Sequence, residues 1–167
     1  MSLLWKITKP KIEAPSYIVG TMHIRDQRAF YLLDAIHEKI QECDAFATEF
    51  KLDEADPNEI KKYMLLPDET VIEDYIKPKR YAKINEFLLE KIGMPLATFQ
   101  GYKPLFINNF LMEAFFQEDM PLALDAALYQ YAAEQDKILL GIETYQEQLD
   151  VLAQIPIKKQ VKGLWSM

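Results

Sequence analysis

Residues 16-SYIVGTMHIRD-26 place a short apolar run in front of a glycine, and a histidine follows that glycine at the third position. The run contains β-branched and aromatic residues, which is typical of a β-strand. His23 is one of only two histidines in the chain, and it comes just after the predicted end of this strand. Open α/β sheets bind their ligands beyond the carboxyl ends of the strands. The stretch therefore predicts a strand that delivers a chemically capable side chain to the edge of a sheet.

The segments that flank this strand predict an α/β fold with a mixed sheet. Residues 3-LLWKIT-8 predict an antiparallel partner strand, joined to the first by the proline-bounded turn 9–15, so that the chain begins with a hairpin. Apolar positions then recur every three to four residues from about Asp26 to Cys43, which predicts an amphipathic helix. The run 45-AFATEF-50 predicts the next strand. Strand, helix and strand at this spacing form a βαβ unit, whose strands are expected to be parallel.

The middle of the chain is predicted to be largely helical, and the whole of 1–167 is predicted to form a single domain. A helical insert or lid is predicted at approximately residues 56–135. Helix starts are predicted at Pro57, Pro78, Pro104 and Pro121, and a helix end at Gly93. A last strand, 137-KILLGIE-143, follows the helical section and is expected to join the sheet parallel to the strands of the βαβ unit.

The composition excludes several classes of protein. The formal net charge is -7, from 19 basic and 26 acidic residues, which argues against binding to nucleic acid. The longest strongly apolar stretch, 105-LFINNFLMEAFF-116, is too short to span a membrane, which takes about 20 residues. The single cysteine, Cys43, cannot form an internal disulfide.

Three predicted strand ends carry side chains that are able to bind a ligand. His23 follows one strand, Glu49 closes the next, and Glu143 closes the last. Since parallel strands end at one edge of a sheet, the three side chains are expected to converge there. Each has a structural alternative: His23 as a loop histidine bonded to a carbonyl, Glu49 as a surface residue, and Glu143 as a residue that favours the start of the helix after it.

Asp125 is a fourth candidate. Its helical neighbours Leu122, Leu128, Tyr129 and Ala132 form an apolar face, so its carboxylate is expected to be half or fully buried. A buried charge must be paired, protonated or bound to a metal. A structural ion pair and a functional role both fit this position.

These motifs, taken in order, resemble the TraB/GumN family, which includes the TIKI metalloproteases. The resemblance spans almost the whole chain, and the G-x-x-H element at Gly20 and the G-x-E-T element at Gly141 are its most specific parts. The matching segments are 4-LWKIT-8, 15-PSYIVGTMH-23, 47-ATEF-50, 124-LDAALYQYAAEQDK-137 and 141-GIETYQEQL-149.

The resemblance implies a ChaN/erythromycin-esterase-like fold and a metal-dependent hydrolase of peptidase type. It implies that His23, Glu49 and Glu143 hold a divalent metal, with Glu49 and Glu143 also serving in catalysis, and that Asp125 supports the site or touches the substrate. Manganese or cobalt is favoured as the cofactor, with zinc or iron as alternatives. The expected partner is a peptide or protein substrate. The competing hypothesis is a binding or regulatory protein, of the pheromone-shutdown type, that uses the same cleft without turnover.

Family members carry a second G-x-x-H motif, which these residues lack. The chain is therefore expected to correspond to the N-terminal portion of a TraB/GumN-like domain and to be inactive alone. It is also expected to self-associate or to pair with the missing C-terminal portion. An extracytoplasmic location, after removal of a leader, is favoured over a cytoplasmic one.

Overall fold

The structure is a computed structural model that describes residues 3–54, 56–67 and 69–164. Its mixed α/β content confirms the predicted fold class. The described residues fall into two compact units. The first, called the sheet unit, comprises residues 3–54 and 116–144, and the second, called the helical unit, comprises residues 56–115 and 145–164.

The sheet unit begins with an antiparallel hairpin of β1 (Leu4–Lys9) and β2 (Ile12–Val19). The predicted turn 9–15 is wrong, because β2 already begins at Ile12 and only Pro10 and Lys11 remain between the strands. The turn is this tight because Lys11 has a φ of 71°, in the left-handed region. The hairpin itself is confirmed.

After the hairpin comes a short 3-10 helix (Gln27–Phe30), and then helix α1 (Leu33–Glu42), strand β3 (Ala45–Thr48) and the 3-10 helix Leu52–Glu54. Helix α5 (Leu124–Glu134) and strand β4 (Ile138–Gly141) complete the sheet unit. The predicted start of a helix at Pro121 is wrong by three residues, since α5 begins at Leu124.

Strands β3 and β4 are parallel, with Ala45 opposite Ile138 and Thr48 opposite Gly141, as predicted. The prediction of one sheet that also contains residues 16–21 is wrong for the described part of the chain. There β2 pairs with β1, and β3 with β4, in two separate two-stranded sheets. The sequence pattern marks each strand, but it carries no information on which edges form hydrogen bonds.

One apolar core holds these elements of the sheet unit together. Helix α5 packs against α1, β3 and β4, and the side chain of Leu128 is completely buried. The buried members of this core are Phe30, Ile36, Ile40, Leu124, Leu128 and Ala132, and half-buried side chains packed against it include Leu4, Val19, Phe46 and Leu139. Both sheets therefore contribute to a single core.

The helical unit contains α2 (Pro57–Met64), α3 (Pro78–Ile92), α4 (Pro104–Glu113), α6 (Tyr145–Ala153) and α7 (Ile157–Gly163). Two short 3-10 helices, Ile72–Tyr75 and Leu96–Phe99, lie between the longer ones.

The predicted helix boundaries of this unit are largely confirmed. Asp56 caps α2 by accepting a hydrogen bond from the Asn58 backbone amide at 2.8 Å, and Pro78 and Pro104 open α3 and α4. Gly93 ends α3 with a φ of 70°, a conformation that glycine adopts without strain. Within the described residues, no helix has the length and apolar character needed to cross a membrane.

Candidate functional site

His23 and Asp125 form a direct contact within the sheet unit. His23 lies in the loop that follows β2, and Asp125 is the second residue of α5. The Nδ1 atom of His23 lies 2.8 Å from Oδ2 of Asp125. The Asp125 side chain is only 13% exposed, whereas the His23 side chain is 64% exposed. The prediction that Asp125 is largely buried and within reach of a donor is confirmed.

This contact determines which nitrogen of His23 carries the proton. An ionised carboxylate only accepts hydrogen bonds, so Nδ1 must donate its N–H to Asp125. In the neutral ring the lone pair then resides on Nε2. A carboxylate that orients an imidazole in this way is the usual support of a histidine that binds a metal.

The second oxygen of Asp125 is unusual. Oδ1 is buried and has no hydrogen-bond partner in the described part of the chain. A buried carboxylate oxygen without a donor lowers stability, because its hydration has been lost without replacement. Asp125 thus has the capacity to accept one more hydrogen bond beside His23.

Glu49 and Glu143 form a second pair, at the carboxyl ends of β3 and β4. Glu49 directly follows β3, and its carbonyl accepts a hydrogen bond from the Glu143 backbone amide at 2.9 Å. The preceding amide, that of Ile142, donates to the Thr48 carbonyl at 3.0 Å. Both glutamates are exposed, and these two backbone bonds place them at the same end of the β3–β4 pair.

The backbone around this pair explains the glycine of the G-x-E-T element. A Cβ added to Gly141 would lie 2.8 Å from the Lys51 nitrogen and 3.3 Å from the Phe50 carbonyl carbon. Side-chain carbons essentially never come as close as 2.8 Å to another atom, so only glycine lets residues 50–51 pass over β4 as they do here. The Thr48 hydroxyl fixes the same turn by donating to the Phe50 carbonyl at 2.6 Å. Sequence reasoning named Glu49 and Glu143 but missed Gly141 and Thr48 as the residues that hold them.

Asp26 was also missed. It is 1% exposed, and its carboxylate accepts hydrogen bonds from the Arg28 backbone amide at 2.9 Å and from the Gln117 backbone amide at 3.1 Å. The Arg28 guanidinium also donates to both of its oxygens. These bonds, that of the Arg28 side chain above all, hold the pKa of Asp26 far below its usual range although burial opposes the shift. One feature of the sequence could have identified Asp26: it is an aspartate that lies three residues after the candidate histidine and just before a helical turn.

The second histidine lies elsewhere in the sheet unit. His37 is half-buried on α1 and stacks on Tyr131 of α5, with ring centroids 3.6 Å apart. Burial lowers the pKa of His37. The half-buried, stacked ring of His37 differs in environment from the exposed ring of His23, which is 64% exposed and bonded to Asp125.

The structure thus assembles the four candidate residues as two pairs, His23 with Asp125 and Glu49 with Glu143. In residues 3–54, 56–67 and 69–164, no three His, Cys, Asp or Glu side chains form a group that could hold a metal ion. The donor types nevertheless suit a transition metal, since one imidazole and two carboxylates are common ligands of manganese, cobalt, iron and zinc.

The chain matches the model of a known protein family. The family model described as TraB/PrgY/gumN family matches residues 3–167, almost the whole chain. No curated protein and no solved structure matches the chain.

Proposed function

Because the chain belongs to the TraB/PrgY/gumN family, we propose that it takes part in metal-dependent hydrolysis of peptide bonds. The observation that carries this proposal is the bond of 2.8 Å between Nδ1 of His23 and Oδ2 of Asp125. A buried carboxylate holds an exposed imidazole in one orientation and fixes Nε2 as the basic nitrogen. Such an arrangement is expected at a metal or proton-transfer site.

In this proposal His23, Glu49 and Glu143 would supply the ligands of a divalent ion, manganese or cobalt in preference to zinc or iron. Binding of the ion would have to draw these side chains together, because they do not form a metal-holding group in the described residues. A bound ion would lower the pKa of a water molecule and stabilise the negative charge that develops on the carbonyl oxygen. Glu49 and Glu143 lie at the same end of the β3–β4 pair, and carboxylates are ligand types that such ions accept.

The protein's own side chains then have separate roles. Asp125 keeps the ring of His23 in one orientation through the Nδ1–H bond. One of the two glutamates accepts the proton of the attacking water and passes it to the leaving amine, as a general base and then a general acid.

Metal binding tests the first step of this proposal. Manganese bound to the chain is measured by electron paramagnetic resonance, in which the signal of the hydrated ion disappears on binding. The variants His23→Ala, Glu49→Gln and Glu143→Gln are expected to weaken binding by about tenfold or more, as loss of a ligand or of its support does. The variant His37→Ala is the matched control and should bind manganese as the parent does. Equal affinity in the parent and His23→Ala contradicts the assigned ligand.

Hydrolysis tests the second step. A peptide library is incubated with manganese or cobalt and with the chain extended by a portion that carries the second G-x-x-H motif, because the chain is expected to be inactive alone. The cleavage products are identified by mass spectrometry. Cleavage that disappears in His23→Ala and persists in His37→Ala supports a peptidase. Metal-dependent binding of peptides without cleavage supports the alternative, a regulatory protein that uses the same residues without turnover.

A further inference from the structure

Two segments of the sheet unit are joined by several polar contacts. The first is Arg25–Arg28, which follows His23, and the second is Gln117–Met120, which precedes α5; together they are called the clasp. The Gln27 amide donates to Asp119 Oδ1 at 2.7 Å, and the Met120 amide donates to the Arg25 carbonyl at 2.9 Å. Arg25 forms an ion pair with Glu118, and Asp26 accepts from the Gln117 amide at 3.1 Å. Backbone and side-chain bonds therefore hold the two segments against each other.

Asp26 is the buried centre of the clasp. Its Oδ1 accepts from the amide and Nε of Arg28, at 2.9 and 2.8 Å, and its Oδ2 accepts from the second guanidinium nitrogen and from the Gln117 amide. At 1% exposure, a carboxylate is retained only where donors replace its lost hydration, and here each oxygen receives two. An ordinary cap of the 3-10 helix would need only the bond from the Arg28 amide. The bond to Gln117 is the feature that capping leaves unexplained.

The clasp lies between the two members of the His23–Asp125 pair along the chain. His23 is three residues before Asp26, and Asp125 is five residues after Met120. The side chain of His23 is 64% exposed, so packing alone does not hold it against Asp125. We propose that Asp26 is a positioning residue, which keeps the His23 loop against the segment leading to α5 and so maintains the hydrogen bond between His23 and Asp125. The functional importance of this role rests on the proposed function, in which His23 binds a metal ion. The hydrogen bond between His23 and Asp125 can be measured independently of that function.

Nuclear magnetic resonance of the imidazole nitrogens tests this role. The chain has two histidines, so two rings give the whole spectrum, and His37 on Tyr131 serves as an internal reference. At alkaline pH, where imidazole rings are neutral, the parent should show His23 protonated at Nδ1. The variant Asp26→Ser keeps an acceptor for the helix cap but has only one oxygen and cannot also reach Gln117. We expect His23 in this variant to lose the Nδ1–H form in favour of a mixture of tautomers, with His37 unchanged.

Two controls separate positioning from general destabilisation. Ile40→Val removes one methyl group from the core of the sheet unit and should lower the melting temperature while leaving the tautomer of His23 unchanged. Arg28→Met removes the guanidinium, whose side chain is 74% exposed, but retains the backbone bonds of Asp26, and should also leave the tautomer unchanged. If Asp26→Ser does not fold, Asp119→Ala, which removes the bond from Gln27, provides the measurement and should shift the tautomer in the same direction.

The outcomes are distinct. A folded Asp26→Ser variant that keeps His23 protonated at Nδ1 overturns the positioning role, as does an equal tautomer change in Ile40→Val. If Asp26→Ser does not fold, a folded Asp119→Ala variant whose His23 tautomer is unchanged also overturns the positioning role. The affinity for manganese provides a second measurement, and it should be about tenfold lower in Asp26→Ser than in the parent. If the parent does not bind manganese, the proposed function fails, while the tautomer measurement still decides the role of Asp26.

Discussion

Replacing Gly141 by alanine is expected to destabilise the sheet unit by about 1–3 kcal/mol, the usual cost of inserting a methyl group where there is no room for it. The added Cβ would lie 2.8 Å from the Lys51 nitrogen and 3.0 Å from the Glu143 carbonyl oxygen. Both neighbours are backbone atoms, so the strain cannot be relieved by rotating a side chain. Residues 50–51 must move away from β4, and the backbone bond between Glu49 and Glu143 must lengthen.

The glycine of the other motif provides the matched control. A Cβ added to Gly20 would meet only a side-chain carbon of Leu3, at 3.6 Å, which is an ordinary van der Waals contact. Gly20→Ala is therefore expected to change the free energy of unfolding by less than about 0.5 kcal/mol, as an unstrained surface substitution does. The two motif glycines are thus predicted to differ in their tolerance of the same methyl group.

Urea denaturation measures the difference. The imidazole resonances of His23 and His37 report on the sheet unit alone, because both histidines belong to it. For a slope of about 2 kcal/mol per molar urea, a cost of about 1–3 kcal/mol corresponds to a fall of the midpoint by about 0.5–1.5 M. A Gly141→Ala variant as stable as the parent, or an equal loss in Gly20→Ala, would refute the steric argument.

Three further outcomes are expected. Leu128→Ala should lower the free energy of unfolding by about 2–5 kcal/mol in urea denaturation, because Leu128 is fully buried in the core of the sheet unit. Because Arg28 depresses the pKa of Asp26, this carboxylate stabilises the fold fully above about pH 4, near the pKa of an unfolded aspartate, and progressively less as the pH falls below it. The urea midpoint of the parent should therefore fall between pH 6 and pH 3 by more than that of Asp26→Ser, and parallel curves would contradict this. Asp125→Leu should fold and bind manganese about 10–100-fold more weakly, because His23 loses its orienting carboxylate; unchanged affinity would assign Asp125 to structure alone.

Much of the local structure follows from short-range physical chemistry. Pro78 and Pro104 open helices because proline lacks the amide that a first helical turn leaves unpaired, and Gly93 ends one because it tolerates a positive φ. The burial of Asp125 could be predicted for a similar reason, since the period of a helix places it among the apolar residues of α5. These predictions depend on residues within a few positions of one another.

The exceptions to these local rules arise where the decisive neighbour is distant in the sequence. Lys11 adopts a left-handed turn that a lysine does not favour by itself, so the hairpin is tighter than its prolines suggested. Asp26 obtains its second partner from Gln117, 91 positions away. The need for Gly141 is set by residues 50–51, which pass over it.

The sequence alone determined the mixed α/β class, the parallel orientation of β3 and β4, the family, and the residue types of the candidate site. Those features can be predicted from the periodicity of apolar residues, from turn residues and from two short motifs. Tertiary structure alone decided that the hairpin forms a sheet of its own. It also decided that His23 faces Asp125 while Glu49 adjoins Glu143. Hydrogen bonds between strand edges and contacts between loops join residues far apart along the chain, and neither periodicity nor propensity specifies such partners.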